Sequence, residues 1–187
     1  MSENHEEEPG WGALSGLPGN PMMWILILGE LAAFGAFLLG LCVARALDPA
    51  GFAAAQAHLH RTLAGINTLV LVTSGFLVAA AVELRRRGAR ARAPLAAGAL
   101  LGVAFLAIKG VEYSDLFAQG FGVESDPFFR LYFLITGFHA LHVVFGLVIL
   151  VIVFFADSLE NMETGAAFWH MLDMIWALIF PIVYLAR

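Results

Sequence analysis

Five long apolar stretches constrain this chain more than any other feature of its sequence. They cover residues 22–44, 63–84, 95–117, 131–156 and 166–185, and an α-helix needs ~20 such residues to cross a bilayer. Each stretch is apolar on all faces, whereas strands of a transmembrane barrel alternate over ~10 residues. The sequence therefore predicts an all-α integral membrane protein, with a five-helix membrane domain at 21–187 after a tail at 1–20.

Composition supports a membrane protein and excludes several other classes. Apolar residues make up 60% of the chain and charged residues 13%, against about 45–50% and 25% in soluble domains. Cys42 is the only cysteine, which excludes a disulfide-stapled domain, a c-type haem motif and an iron–sulfur cluster. The net charge of −5 excludes a nucleic-acid binder.

The distribution of charge predicts the orientation in the membrane. The connection between the second and third stretches carries five arginines: Arg85, Arg86, Arg87, Arg90 and Arg92. Short cytoplasmic loops collect such residues, so this loop and the N-terminus are expected in the cytoplasm and the C-terminus in the periplasm. The arginines are also expected to contact anionic lipid headgroups.

The ends and connections are expected to be polar. The N-terminal tail has three consecutive glutamates and no Lys or Arg, so it is expected to be a solvated acidic segment rather than a signal peptide. Glu160 and Glu163 are expected in the loop before the last span. An Ala-rich segment at 52–61 is expected to form a helix at the membrane interface.

Nine polar residues within the spans are candidate site residues. They are Glu30, Asn67, Ser74, Lys109, Glu112, His139, His142, His170 and Asp173. Ionisable groups in a membrane face protein or water and have partners. Lys109–Glu112, His139–His142 and His170–Asp173 are i,i+3 pairs, each on one helical face. The first pair is expected to be ionic, and the last to share a hydrogen bond.

A rise of ~1.5 Å per residue divides these groups between two depths. Glu30, His170 and Asp173 are expected in an inner layer, and Lys109, Glu112 and His139 in an outer one, with His142 near the midplane. Glu30 has no cation at its depth. We therefore expect a neutral carboxyl, hydrogen-bonded to a group of span four or five, with His170 the first candidate.

Two roles for these groups stay open, structural pairing and proton transfer through Glu30 or Glu112. A di-metal site is disfavoured because no Glu-x-x-His lies within the spans and the ligands fall into two layers. Haem is disfavoured because His139 and His170 lie at different depths. No catalytic residue and no metal ligand is predicted.

Two patterns of small and aromatic residues are also informative. Gly98 and Gly102 have the spacing that lets helices approach closely in membranes. Aromatic residues near the span ends are interpreted as an interfacial belt. They are Trp24, Tyr113, Phe128, Phe129, Tyr132, Trp169 and Tyr184.

Five segments together resemble subunit III of the haem-copper oxidases. They are WILILGE at 24–30, NTLVLVTSG at 67–75, KGVEY at 109–113, TGFHALHVVFG at 136–146 and FWHMLDMIW at 168–176. They occur in the family's order and extend over about residues 21–187. The larger members of that family have seven helices, and this chain has spans that resemble the last five.

The resemblance implies a non-catalytic accessory subunit of a respiratory oxidoreductase in the bacterial cytoplasmic membrane. Such a subunit holds no redox cofactor, binds phospholipid in a cleft, and packs beside a larger catalytic subunit that carries haem and metal. The segments GNPMMW at 19–24 and FWHMLD at 168–173 are most similar to the branch that accompanies bacterial nitric oxide reductases. The alternative is a small subunit III of a cytochrome c or quinol oxidase.

Overall fold

The computed structural model describes residues 21–156 and 158–186, so the acidic tail at 1–20 lies outside the described residues. Six α-helices follow one another: α1 (Pro21–Leu47), α2 (Pro49–Gln56), α3 (Arg61–Arg86), α4 (Arg92–Ala118), α5 (Pro127–Ala156) and α6 (Leu159–Phe180). A π-helix at Pro181–Leu185 continues α6. Five helices are long and apolar enough to cross a membrane, which confirms the predicted five-span bundle.

Polar residues extend the spans beyond their apolar stretches. The helix α6 begins at Leu159, because the Ser158 side chain caps it by accepting a hydrogen bond from the Asn161 backbone N–H at 3.1 Å. Glu160 and Glu163 therefore lie on the first turns of α6, and their expected place in a loop is wrong. Carboxylates near a helix N-terminus are favoured by the helix dipole.

The connection between α1 and α3 contains the short helix α2, which begins earlier than the predicted helical segment. Asp48 accepts a hydrogen bond from the Gly51 backbone N–H at 3.0 Å, and Pro49 occupies the first turn of α2. A capping Asp followed by Pro is a strong start signal. Of the predicted helical segment at 52–61, residues 52–56 belong to α2, residues 57–60 form a turn, and α3 begins at Arg61.

Glycines on α4 allow close contact with its neighbours. A Cβ on Gly98 would lie 3.1 Å from the Ser74 carbonyl oxygen of α3, and one on Gly102 would lie 2.6 Å from the Trp169 ring of α6. Both separations are shorter than ordinary carbon contacts. The close approach predicted from the glycine spacing is confirmed, and it fixes how α4 packs.

The helices α3 to α6 form the central bundle, and α1 packs on its outside against α5 and α6. The core is rich in aromatic residues from α5 and α6, among them Phe129, Tyr132, Phe168, Trp169 and Trp176. Large apolar side chains such as Leu39, Leu100 and Phe155 point outward. An apolar exterior suits hydrocarbon as the surrounding solvent.

Candidate functional site

A buried ion pair lies where α4, α5 and the C-terminal π-helix meet. Lys109 Nζ donates to Glu112 Oε2 at 2.8 Å, and the two side chains are 3% and 1% exposed. Lys109 also donates to the Tyr132 hydroxyl at 3.0 Å and to the Tyr184 hydroxyl at 2.7 Å. The Tyr184 hydroxyl donates to Glu112 Oε1 at 2.8 Å. Three partners match the three donors of an ammonium group.

Four aromatic rings enclose the Lys109 ammonium. Its nitrogen lies 4.9 Å from the ring centroid of Tyr132, 5.1 Å from Tyr113, 5.3 Å from Trp176 and 5.4 Å from Tyr184. Cations are attracted to aromatic faces at such distances, and more strongly when water is excluded. The cluster therefore stabilises a charged pair that is buried in the bundle interior.

The interfacial-belt interpretation is wrong for five of its residues, which are all buried inside the bundle: Phe128, Phe129, Tyr132, Trp169 and Tyr184. The polar atoms of the two tyrosines and the tryptophan bond to groups inside the bundle. Trp169 Nε1 donates to the Ser74 hydroxyl at 3.1 Å. Sequence reasoning thus missed two tyrosines of the ion-pair cluster. The available signal was a lysine in a span, whose three donors require more partners than Glu112 alone.

Glu30 on α1 and His142 on α5 form a pair between helices. His142 Nε2 lies 3.2 Å from Glu30 Oε2, and His142 Nδ1 lies 2.8 Å from the Phe138 carbonyl oxygen. A carbonyl oxygen only accepts, so Nδ1 carries a proton and donates. A hydrogen bond between Nε2 and the carboxyl requires one further proton, carried either by Glu30 or by the imidazole.

This geometry corrects the expected partner of Glu30. The sequence favours His170 as the partner, but the contact is made by His142 of the fourth span, which the sequence also allows. The partner of Glu30 depends on helix packing, since α1 packs against α5, which carries His142, as well as against α6. The expected inner layer of Glu30, His170 and Asp173 is therefore divided between two separate pairs.

His170 and Asp173 form the second of these pairs on α6. Nδ1 of His170 lies 3.3 Å from Asp173 Oδ2, as the i,i+3 spacing predicts. A Cβ on Gly75 of α3 would overlap the same carboxylate oxygen. The pair therefore packs directly on the α3 backbone, and the glycine makes room for it.

His139 is buried among aromatic rings rather than joined to the outer cluster. It stacks on Trp176 at 5.2 Å between ring centroids, and Phe34 and Phe105 meet it edge-on at 6.1 and 5.8 Å. Within the described residues neither ring nitrogen has a hydrogen-bond partner. The expected outer layer therefore consists of Lys109 and Glu112 with two tyrosines, and His139 adds no hydrogen bond to it.

Asn67 and Ser74 form hydrogen bonds from α3 to α4. Asn67 Nδ2 donates to the Phe105 carbonyl oxygen of α4 at 3.3 Å, and the Ser74 hydroxyl donates to the Gly98 carbonyl oxygen at 2.6 Å. Both polar side chains are buried. Both side chains form hydrogen bonds between helices, which agrees with a structural role for the buried polar groups rather than proton transfer.

A cleft of about 440 Å³ opens between α1, α3 and α6. Trp24 and Ile27 of α1 line one wall, and His170 lies along the other. Arg86 and Glu163 close one end, with Nη2 and Oε1 2.8 Å apart. This cleft combines an apolar interior with charged groups at one end, the features that suit an amphipathic molecule.

The five arginines are divided between two locations. Arg86 lines the cleft, and Arg87 pairs with Glu83, another cleft residue, at 2.7 Å. Arg85, Arg90 and Arg92 line a separate depression. The sequence predicts that all five contact lipid headgroups, and of these five arginines only Arg86 lines the cleft between α1, α3 and α6.

No metal site is visible in the described part of the chain. Within residues 21–156 and 158–186, no group of three or more His, Cys, Asp or Glu is arranged to hold a metal ion. The polar pairs described above lie beside the cleft and the aromatic core.

A family model described as "Cytochrome c oxidase subunit III" matches residues 43–186. The chain belongs to this family. Cytochrome c oxidase subunit 3 of Synechocystis sp. is 27% identical over 172 residues, which cover 86% of this chain and 72% of the relative. Cytochrome bo(3) ubiquinol oxidase subunit 3 of Pseudomonas aeruginosa is 31% identical over 130 residues, covering 64% of this chain and 62% of the relative.

A third relative combines two subunits in one protein. Heme-copper oxidase subunit I+III of Aeropyrum pernix is 28% identical over 200 residues, which cover 96% of this chain and 24% of the relative. These relatives are named as cytochrome c, ubiquinol and heme-copper oxidase subunits. Their names favour the oxidase alternative over the nitric oxide reductase branch.

Proposed function

We propose that this chain is a non-catalytic subunit III that supports a haem-copper oxidase. The observation that carries the proposal is the family match over residues 43–186. The buried groups agree with it, because Lys109 and Glu112 are bonded to each other and to Tyr132 and Tyr184. A satisfied polar network makes the packing specific and offers its donors to no substrate.

The proposed partner is a larger membrane subunit that carries haem and the second metal. The Aeropyrum relative, in which subunits I and III are one protein, supports this partner. Haem and metal supply the electron transfer and oxygen chemistry, and this chain supplies neither. Its role is to stabilise the assembly and to hold lipid beside it.

The proposed location is the bacterial cytoplasmic membrane, with the N-terminus in the cytoplasm and the C-terminus in the periplasm. The arginine-rich connection between α3 and α4 supports this orientation. The cleft between α1, α3 and α6 then opens near the cytoplasmic surface, because Arg86 lies at the end of α3.

We further propose that this cleft holds the acyl chains of a phospholipid, with Arg86 near the headgroup phosphate. Trp24, Ile27 and Met171 give the cleft an apolar lining, and arginine binds phosphate well. Arg86→Gln is expected to reduce the phospholipid that copurifies with the complex, and Arg90→Gln serves as a matched control. Equal lipid loss in both variants would contradict the assignment of the headgroup to Arg86.

The proposed reaction of the partner is oxygen reduction, since the relatives described above are named as oxidase subunits. Nitric oxide reduction remains the prediction of two short sequence segments. The two are separated by purifying the complex through a tag at the N-terminus and measuring its consumption of oxygen and of nitric oxide. Copurification of a haem-containing subunit with oxygen consumption is expected. Copurification of a nitric oxide reductase would support the other branch, and a haem-free preparation would contradict the proposed function.

A further inference from the structure

A depression of about 700 Å³ lies where α3 begins and α4 ends, at the membrane face opposite the arginine-rich connection. Its polar lining consists of His60, Arg61 and Thr62 at the start of α3 and Asp115 near the end of α4. It shares no lining residue with the cleft between α1, α3 and α6. This Arg61–Asp115 depression is therefore a separate place on the molecule.

The depression presents one charge of each sign to a ligand. Arg61 is half-buried and Asp115 is exposed. Among the residues that the structure describes, neither side chain belongs to an ion pair. At the end of the cleft, by contrast, Arg86 and Glu163 lie 2.8 Å apart and neutralise each other. A ligand with both an anionic and a cationic group could pair with both Arg61 and Asp115.

The register of α3 against α4 gives the relative depth of the two charges. Hydrogen bonds from Asn67 and Ser74 to carbonyl oxygens of α4 show that the two helices run antiparallel. In the same register, the Arg61 backbone is level with Val111. Asp115 is one turn further along α4, so its backbone lies about 6 Å farther from the membrane centre. The cationic group is thus the deeper of the two.

Apolar side chains continue from the depression towards the membrane centre. Leu63 and Ile66 form part of its wall. Ile66 is exposed, as are Leu69 one turn further along α3 and Val111 on α4. Such a surface suits hydrocarbon. From the membrane centre outward, the order is therefore apolar, cationic and anionic.

We propose that the Arg61–Asp115 depression binds the headgroup of a phosphatidylethanolamine, with its phosphate against Arg61 and its ammonium against Asp115. Acyl chains, phosphate and ammonium follow one another outward in this lipid, which matches the order on the protein. An ammonium group has three donors for a carboxylate, whereas phosphatidylglycerol has no cation to offer. The site goes beyond the proposed function, because it lies at the other membrane face from the charged end of the cleft.

Native mass spectrometry of the delipidated full chain in detergent tests the site. The chain is titrated with phosphatidylethanolamine and with phosphatidylglycerol of the same acyl chains. The unchanged chain is expected to bind phosphatidylethanolamine several-fold more tightly. Asp115→Asn should remove this preference, and Arg61→Gln should weaken the binding of both lipids, since each removes one charge of the site.

Matched controls carry the same kind of change outside the depression. Glu124→Gln and Arg130→Gln alter exposed residues near the same end of the bundle and should bind both lipids as the unchanged chain does. Arg86→Gln alters the cleft and should keep the preference for phosphatidylethanolamine. Loss of the preference in Arg86→Gln would place the selective lipid in the cleft and contradict the proposed site.

Three further results would contradict the assignment. A preference that persists in Asp115→Asn, or that the unchanged chain lacks, would remove the ammonium contact. Binding of both lipids at full strength in Arg61→Gln would remove the phosphate contact. Equal competition by glycerophosphoethanolamine, which has no acyl chains, would assign the depression to a soluble zwitterion. The chain is tested alone, so the results do not depend on which catalytic subunit it accompanies.

Discussion

At the residue scale, the most demanding feature is a charged pair in an apolar bundle. Removing two charges from water costs several kcal/mol, and the loss is recovered only with good geometry and further hydrogen bonds. Here Glu112 accepts from both Lys109 and Tyr184, and Lys109 has two tyrosine partners besides Glu112. The cluster therefore depends on all its members being present.

Replacing one member should expose this dependence. Glu112→Gln keeps the shape but leaves the Lys109 charge without its counter-ion, so the expected loss in free energy of unfolding is about 3–5 kcal/mol. The thermal transition of the purified complex reports it. Glu124→Gln makes the same chemical change at an exposed residue and should leave the transition in place. Equal stability of the two variants would contradict a stabilising role for the cluster.

Glu30 distinguishes a structural role from proton transfer. Glu30→Gln retains a donor for His142 Nε2, so assembly and most oxidase turnover should persist. Glu30→Ala leaves a void and an unpaired imidazole, and should cost ~2–4 kcal/mol of local stability. Steady-state turnover and subunit content measure the two effects. Loss of turnover in Glu30→Gln with assembly intact would overturn the structural reading and assign a proton-transfer role.

Sequence spacing predicts polar contacts within a helix much better than contacts between helices. Lys109–Glu112 and His170–Asp173 follow from the helical repeat, and both contacts are present. Glu30–His142 depends on which helices pack together and at what rotation, which an apolar repeat leaves open. Tyr184 reaches Glu112 from a π-helix, a local geometry that no sequence pattern here indicates.

At the element scale, apolar length determines how many spans exist, while capping residues determine where they end. The five stretches correspond to five long helices. Ser158 begins α6 before the apolar run, and Asp48 with Pro49 begins α2. Hydropathy averages over such polar turns and cannot find them, whereas the capping residues themselves carry the signal.

Close packing of α4 makes Gly102 sensitive to a single added carbon. Gly102→Ala would place a Cβ 2.6 Å from the Trp169 ring, and overpacking of this kind costs about 1–3 kcal/mol. Gly110→Ala on the same helix meets nothing within 4 Å and should be neutral or stabilising, since alanine favours helix. Thermal unfolding of the two variants gives the comparison. A Gly102→Ala protein as stable as Gly110→Ala would show that α4 packs more loosely than described.

At the scale of the whole molecule, the arginine-rich connection predicts the orientation of every element. With the connection between α3 and α4 in the cytoplasm, five spans place the C-terminus in the periplasm. A reporter that functions only in the periplasm, fused after the last residue, should be active. A cytoplasmic reporter fused at the same point should be inactive. The reverse pattern would invert the orientation and move the cleft to the periplasmic side.

The role proposed for this chain in the complex rests on the family match and on the paired polar groups in the bundle interior. The family match extends over most of the spans, and the polar groups described above bond mainly to one another. Under the proposed function, such a chain contributes packing and lipid retention, and the partner supplies the redox centres.

Deleting this chain and measuring the haem content, metal content and sustained turnover of the remaining complex tests the central claim most directly. The account predicts that haem and metal remain in the catalytic subunit, while assembly, stability or sustained turnover falls. Restoring the full chain should restore these properties. Loss of haem or of the catalytic metal on deletion would contradict an accessory role and assign this chain a part in the redox centre.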